Sequence, residues 1–343
     1  MVWKMFSKVE LLKEKILDDI RTGKLKKSAP IPSRFSLMHR YSFSRGTVDK
    51  AMLELSKEGF LYSRQGSGTF VADRHESSII NQVFLAGNYD LRTNADSESA
   101  CLASKIQQHV PCFLYNINDI KTSLGKIARP GNAVVWQRPP YEQLMAMKYL
   151  SSAGASQLLI GRTYGDFDHV TTDAYEGIRA GLKWLLDKGC RRIAFITQEN
   201  NPDSPYIAER QIVFYEVALS LGIKVDMDLV FKRRFSNFKA DLDSIVAATF
   251  KPGKMPDAVF STYIPLAYPL MTVADSRNVR LGRDFWFLTF DYEQKLDGWK
   301  GVGMLKQPWD EMGDKAVEWV LRKGKNRKSE FKIKISPKLL KGD

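Results

Sequence analysis

Apolar residues recur at helical spacing from Phe6 to Ile20, where Val9, Leu11, Leu12, Ile16 and Ile20 predict an amphipathic helix. Ala29-Pro30-Ile31-Pro32 breaks the period. Ser33 supplies a cap for a short helix running to about Arg40. Ser42-Phe43-Ser44 is the next break, and Ser44 caps a third helix through Glu58, with Val48, Ala51, Met52 and Leu55 on one face and Gly59 as its C-cap. The period then falls to two. Phe60-Leu61-Tyr62 and Thr69-Phe70-Val71 read as short strands around Arg64-Gln65-Gly66-Ser67-Gly68, a tight hairpin with two glycines.

Asp73 to Ser78 is polar and holds few core formers, so it reads as a linker. Beyond it strands and helices alternate. Strands are predicted at 79–85, 112–116, 133–136, 157–160, 192–197, 229–231, 258–260 and 286–290. Helices are predicted at 98–109, 141–151, 172–188, 207–221, 238–250, 266–276 and 309–322. That order implies an α/β fold with parallel sheets covered by helices on both faces. The length exceeds what one such sheet needs, so two lobes with a cleft between them are expected. The domain reading is therefore 1–73 for a small N-terminal domain, 74–78 for a linker and 79–343 for a two-lobed domain.

Charge adds a partner to this picture. The 343 residues carry 52 Lys plus Arg against 39 Asp plus Glu, a net charge of +13 that favours a polyanion such as nucleic acid, an anionic membrane surface or an acidic ligand. Met1 to Gly23 interleaves apolar and charged residues and lacks the unbroken apolar core of a secretion signal. No apolar run approaches the roughly 18 residues of a membrane span. Cys101, Cys112 and Cys190 are scattered and form no C-x-x-C pair, so neither a disulfide framework nor a zinc site is indicated, and a reducing cytoplasm is the expected setting. His39, His75, His109 and His169 are isolated, and no Gly-x-Ser-x-Gly elbow is present, so catalysis, a metal and a cofactor are all unsupported.

Helix, Pro-Ser turn, helix, short turn, helix and glycine hairpin is the order of parts in a winged helix-turn-helix. The N-terminal end of its third helix presents Ser44, Arg45, Gly46, Thr47 and Lys50. Backbone amides there favour a phosphate, Arg45 can bridge guanine edges, and Thr47 can meet a thymine methyl. Arg64 and Gln65 sit at a wing tip thin enough for a minor groove. Residues from about Phe6 to Ala72 resemble a GntR-type DNA-binding domain. The resemblance is carried by Pro32-Ser33, Ser44-Arg45-Gly46-Thr47-Val48, Leu53-Glu54-Leu55-Ser56-Lys57-Glu58-Gly59-Phe60-Leu61 and Gln65-Gly66-Ser67-Gly68-Thr69-Phe70-Val71. It implies that Ser44, Arg45, Thr47 and Gly66 contact operator DNA. The family usually carries an acid and then a DNA-contacting arginine after Pro-Ser; here Arg34 and Phe35 stand there. Arg34 is the candidate substitute, displaced by one helix position, or about 100°.

The larger part resembles the periplasmic-binding-protein-like sensor of LacI/GalR-type regulators. Val170-Thr171-Thr172-Asp173 with Gly177, Leu185 through Ile196, Glu209-Arg210, Pro256 through Phe260, Leu288-Thr289-Phe290-Asp291 and Lys306-Gln307-Pro308 carry it. The resemblance implies a type I two-lobed fold and an effector held by Arg210 and Asp291, with Gln307 at the crossover between lobes. A sugar would offer hydroxyls to the carboxylate and guanidinium and a C–H face to aromatic rings. Trp136 and Arg162 follow strands of the first lobe and are candidates by position. After Phe260 the family's Asn-Asp pair is replaced by Ser261-Thr262-Tyr263, and Tyr263 is the candidate to stack on a ring. The expected protein is a cytoplasmic, homodimeric repressor of sugar genes that binds double-stranded operator DNA and a sugar-like effector, without a membrane. A non-sugar effector or a degenerate pocket is the alternative.

Overall fold

The computed structural model describes residues 7–26, 28–57, 60–64, 66–72, 80–88, 97–251, 253–322 and 329–342. Two of the sequence expectations, the Gly59 cap and the 74–78 linker, lie outside the described residues.

The N-terminal part contains α1 (Lys8–Arg21), α2 (Arg34–Tyr41), α3 (Arg45–Lys57), β1 (Leu61–Arg64) and β2 (Gly68–Val71). A capping box opens α1: Ser7 Oγ accepts from Glu10 N–H at 3.2 Å, and Glu10 Oε2 accepts from Ser7 N–H at 2.8 Å. Ser33 Oγ caps α2 by accepting from Ser36 N–H, as its position after the prolines predicts. Leu12, Ile16, Leu37, Val48, Ala51 and Leu55 are fully buried and form the core of this part. The face predicted on α3 is the face it buries. β1 and β2 pair antiparallel from Leu61↔Val71 to Arg64↔Gly68. Backbone bonds from Ile31 N–H to Thr69 O and from Val71 N–H to Ala29 O tie β2 to the segment before α2.

The remainder runs β3 (Gln82–Gly87), α4 (Ser97–Gln107), β4 (Cys112–Asn116), α5 (Leu124–Ile127), β5 (Asn132–Gln137), α6 (Leu144–Ser152) and β6 (Ser156–Ile160). It continues with β7 (Asp168–Thr172), α7 (Ala174–Asp187), β8 (Ile193–Gln198), α8 (Tyr206–Ser220), β9 (Val230–Arg233), α9 (Phe238–Thr249), β10 (Ala258–Ser261) and α10 (Ala267–Ser276). It ends with β11 (Trp286–Phe290), β12 (Val302–Lys306), α11 (Trp309–Leu321), β13 (Lys332–Ile335) and β14 (Lys338–Lys341). The chain separates into two compact units, Met1–Ile160 with Tyr164–Asp168 and Gly313–Phe331, and Gly161–Thr163 with His169–Met312 and Lys332–Asp343.

In the first unit β4, β3, β5 and β6 lie side by side and parallel. In the second, β9, β8, β10, β11 and β12 are parallel, and β14 closes the edge antiparallel to β12. Chain order reverses at β8, so the switch point, where open α/β sheets bind ligands, lies at the carboxyl ends of β8 and β10. β11 is buried along its whole length, as a parallel strand covered on both faces must be. On one face Phe195 and Phe214 stack at 3.9 Å with an 8° interplanar angle. On the same face α7 approaches the sheet through Gly181, where a Cβ would meet Leu288 at 2.6 Å.

Four strands were not expected. Thr172, assigned from sequence to the start of a helix, ends β7, and the helix starts at Ala174 behind an Asp173 cap that accepts from Glu176 N–H. β12, β13 and β14 fall in stretches assigned no element. The helix expected from Tyr141 begins with a 3-10 turn at Tyr141–Gln143. Among the described residues no helix is long and apolar enough to cross a membrane.

Candidate functional site

The third helix of the head carries its polar set outward. Ser44, Arg45, Gly46 and Lys50 are exposed and Thr47 is half-buried. Ser44 and Thr47 hydroxyls lie 2.9 Å apart, and Ser44 Oγ accepts from Thr47 N–H at 3.4 Å, an N-cap that leaves other first-turn amides for an anion. A Cβ at Gly46 would meet nothing within 4 Å, so the chain's own packing does not demand glycine there. In the wing, Arg64 lies over the Tyr62 and Phe70 rings, 5.5 Å from each centroid, and those rings stack on each other at 5.5 Å. Gly66 has φ 76°, a left-handed conformation that suits glycine. Gln65 lies outside the described residues.

Arg34 is drawn toward α3. Its Nε donates to Asp49 Oδ1 at 2.5 Å, and Asp49 Oδ2 is 3.8 Å from Arg45 Nε. Asp49 was not singled out from sequence, although its i,i+4 spacing from Arg45 was readable. Phe35, at the place of the family arginine, is 68% exposed and meets the His39 ring edge-on at 4.5 Å.

The second constellation lies at the carboxyl edge of the second unit's sheet. Asp291 follows β11 and adopts φ 76°, outside glycine a conformation favoured by Asp and Asn. Its N–H donates to Leu305 O at 3.0 Å, which fixes that turn. Arg210, on the second turn of α8, is buried, with Nη1 3.5 Å from Asp291 Oδ2 and its guanidinium 3.6 Å over the Phe290 ring. Gln307, just past β12, donates through Nε2 to Asp291 Oδ1. Thr172 Oγ1 donates to Gln307 Oε1 at 2.7 Å. A chain of bonds therefore runs from the end of β7 through Gln307 to Asp291 and Arg210. Tyr206, one turn before Arg210, receives Arg210 at 4.8 Å and Arg162 at 4.6 Å from its ring centroid. Arg162 Nη1 also donates to Gly161 O at 2.7 Å.

Four of the six expected effector residues, Arg162, Arg210, Asp291 and Gln307, thus share one connected set. The other two do not join it. Trp136 is fully buried in the core of the first unit, where its Nε1–H donates to Gln157 Oε1 at 2.9 Å. It has no ring face or donor left for a ligand, which corrects that expectation. Tyr263 stacks on Phe235 at 4.3 Å and 13° and packs against the apolar core beside it. Among the described residues no hydrogen bond or ring contact joins it to Arg210, Asp291 or Gln307. Where an Asn-Asp pair was missing from sequence, the structure places hydroxyls. Thr262 and Thr197 Oγ1 atoms are 2.8 Å apart and buried at the ends of β10 and β8. Tyr206, Phe290 and Thr172 were missed as site residues. The i,i+4 spacing of Tyr206 and Arg210 and the adjacency of Phe290 and Asp291 were the available signals.

Cys112 and Cys190 are buried, and burial pushes both thiols up to about 12, so neither is a thiolate nucleophile at neutral pH. Among the described residues no group of three or more His, Cys, Asp or Glu side chains is arranged to hold a metal ion.

Residues 8–71 match the model for bacterial regulatory proteins of the gntR family, and residues 182–343 match that for a periplasmic binding protein-like domain. The arabinose metabolism transcriptional repressor of Geobacillus stearothermophilus is 46% identical over 61 residues, covering 18% of this chain and 17% of that protein. The chain thus spans less than a fifth of that relative's length. The probable fructoselysine utilization operon transcriptional repressor of Shigella flexneri is 38% identical over 230 residues, covering 58% of this chain and 87% of that protein. Among solved structures, the transcriptional regulator CelR–cellobiose complex superposes with a TM-score of 0.59 at 16% identity, covering 90% of this chain and 98% of that one, a likeness of fold. With a winged head and a LacI-like, type I periplasmic-binding-protein-like α/β part in one polypeptide, the chain belongs to the gntR family of bacterial regulatory proteins.

Proposed function

We propose that the protein is a sequence-specific DNA-binding repressor whose hold on an operator is governed by a small sugar-like ligand bound at Arg210, Asp291 and Gln307. The observation that carries this reading is the connected set Gln307–Asp291–Arg210 at the carboxyl edge of an open sheet, joined by Thr172 at the end of β7, in the same chain as a winged head. A carboxylate and a guanidinium side by side accept from and donate to neighbouring hydroxyls of one ring. The Phe290 and Tyr206 faces add apolar cover. The relatives named for arabinose and fructoselysine repression support a carbohydrate. In the head, Ser44, Arg45, Thr47 and Lys50 on α3, Arg34 on α2, and Arg64, Gln65 and Gly66 in the wing are the proposed DNA contacts. Residues 1–73 act as the DNA-binding domain, 74–78 as the linker and 79–343 as the sensor. A homodimer presents two heads to two half-sites of double-stranded operator DNA. The chemistry is binding and release, with no covalent step, in the cytoplasm.

Two guanidiniums, Arg162 and Arg210, lie over the one Tyr206 ring. Two cations gathered on one ring favour, as a second reading, a sugar carrying an acidic group. Calorimetry of the full chain against neutral sugars, sugar acids and sugar phosphates tests both readings. One ligand should bind, and Arg210→Ala and Asp291→Asn should each weaken it by at least about tenfold. If a ligand binds and both variants hold it normally, the site is elsewhere. Selection from a randomised duplex library tests the head. A wild-type chain that enriches no motif at physiological salt defeats the regulatory reading.

A further inference from the structure

Two arginines of the head stand where helix electrostatics disfavours them. Arg34 is the first residue of α2 and Arg45 the first of α3, and neither helix has an acid in its first turn. A cation at the positive end of a helix dipole is unfavourable unless an anion answers it. Asp49 answers both. Its Oδ1 takes Arg34 Nε at 2.5 Å and its Oδ2 approaches Arg45 Nε at 3.8 Å, so one carboxylate gathers guanidiniums from two helices. All three side chains remain substantially solvated, with 53%, 43% and 80% of the Arg34, Asp49 and Arg45 side chains exposed. The cluster therefore contributes little to the core. Ser44, Gly46 and Lys50, at the cap and in the first turns of the same helix α3 as Arg45 and Asp49, are exposed as well. A bare carboxylate on a surface meant for phosphates would repel them, so its presence calls for a compensating gain.

We propose that Asp49 is a positioning residue for base readout, setting Arg34 and Arg45 as a two-pronged fork before DNA arrives. Both closest approaches run through Nε, and neither uses the terminal amino groups, which are the pair that bridges guanine O6 and N7 end-on. Arg34, hydrogen-bonded at Nε, has less freedom to lose on contact, while at 3.8 Å the same carboxylate draws Arg45 toward it by charge alone. It also explains how Arg34, one helix position from the usual basic site, is brought to α3. The proposal rests on the head binding DNA and adds which carboxylate sets its specificity.

The test is selection from a randomised duplex library by full-length wild type, Asp49→Asn and Asp49→Glu, at one salt concentration. Affinities for the wild-type-selected duplex and a scrambled duplex are then measured. For Asp49→Asn we expect the selected-to-scrambled ratio to fall about tenfold or more and guanine preferences to flatten, while scrambled binding holds or rises because an anion is gone. Asp49→Glu, which keeps the carboxylate, should restore most of the ratio. If Asp49→Asn binds both duplexes tighter by one factor with the motif unchanged, Asp49 only repels phosphate and the proposal fails. Loss of a cytosine preference alone, with guanines intact, makes Asp49 a direct contact and also overturns it. A wild type that enriches no motif removes the DNA-binding reading itself, a failure separate from both.

Discussion

Asp19 shows how single side chains set the conditions under which the head holds together. Burial by itself would raise its carboxyl, but Tyr41 O–H at 2.5 Å, Arg40 at 2.8 Å and Lys24 at 3.4 Å outweigh burial and hold it below its ordinary value of 3.8. A carboxyl whose folded value is depressed stabilises fully above the unfolded value and loses that contribution as pH falls through the folded one. Wild type should therefore exceed Asp19→Asn in thermal stability near neutrality, and the gap should close as pH drops from about 4 downward. A gap that stays constant across that window would mean the carboxylate is not the stabilising species. Asp291 can be probed with its backbone left alone, because Asn tolerates φ 76° as Asp does. Asp291→Asn leaves the buried Arg210 guanidinium without its carboxylate, which should cost about 1–3 kcal/mol in urea unfolding. An unchanged midpoint would show that the Phe290 and Tyr206 rings suffice to hold the cation.

At the scale of elements, the close approaches of α7 decide what its sequence tolerates. A Cβ at Gly177 would sit 2.3 Å from Pro337 Cγ, and the pyrrolidine ring has little room to swing aside. Ala is the better helix former by about 1 kcal/mol, yet overpacking costs roughly 1–3 kcal/mol. Gly177→Ala should therefore lower the melting temperature in differential scanning fluorimetry, whereas helix propensity alone would raise it. The longer helices were legible because they bury one face of a regular period, and the cap at Ser33 lies where its residue type places it, whereas the four-residue α5 and the Asp173 cap went unread. Parallel strands such as β8 and β11 were legible as short apolar runs. β13 and β14 were not, because Lys332, Lys334, Lys338 and Lys341 mask them. Such lysines are how sheet edges avoid pairing with other chains, and the alternation of Phe331-Lys332-Ile333-Lys334-Ile335 was the overlooked signal. β12 was hidden by Gly303, whose missing Cβ admits the Trp184 ring, 2.5 Å from where that atom would be. In the site, Arg210 and Asp291 were legible by resemblance, but Trp136 was misassigned because position after a strand says nothing of which way a side chain faces.

For the whole molecule, a DNA-binding head and a ligand site in one chain make a thermodynamic statement that needs no route between them. If ligand weakens operator binding by some factor, operator must weaken ligand binding by the same factor, because both are sides of one cycle. Coupling of this kind typically amounts to about 1–3 kcal/mol, or roughly 5- to 150-fold. Calorimetric titration of ligand into the free chain and into the chain saturated with a selected duplex should give dissociation constants differing by that factor. Duplex affinity measured with and without ligand should return the same number. The Arg210–Asp291 pair then separates occupancy from coupling. Asp291→Asn should bind duplex as wild type does, since it changes nothing in the head, and should need at least about tenfold more ligand than wild type for the same release. The high net charge of +13 makes a control necessary, because nonspecific DNA binding is steeply salt-dependent. Both arms must be run at one ionic strength, with scrambled duplex unaffected by ligand. If the factors measured in the two directions agree near unity, ligand and DNA are bound independently, and the head and the sensor part are neighbours in sequence without being partners in regulation.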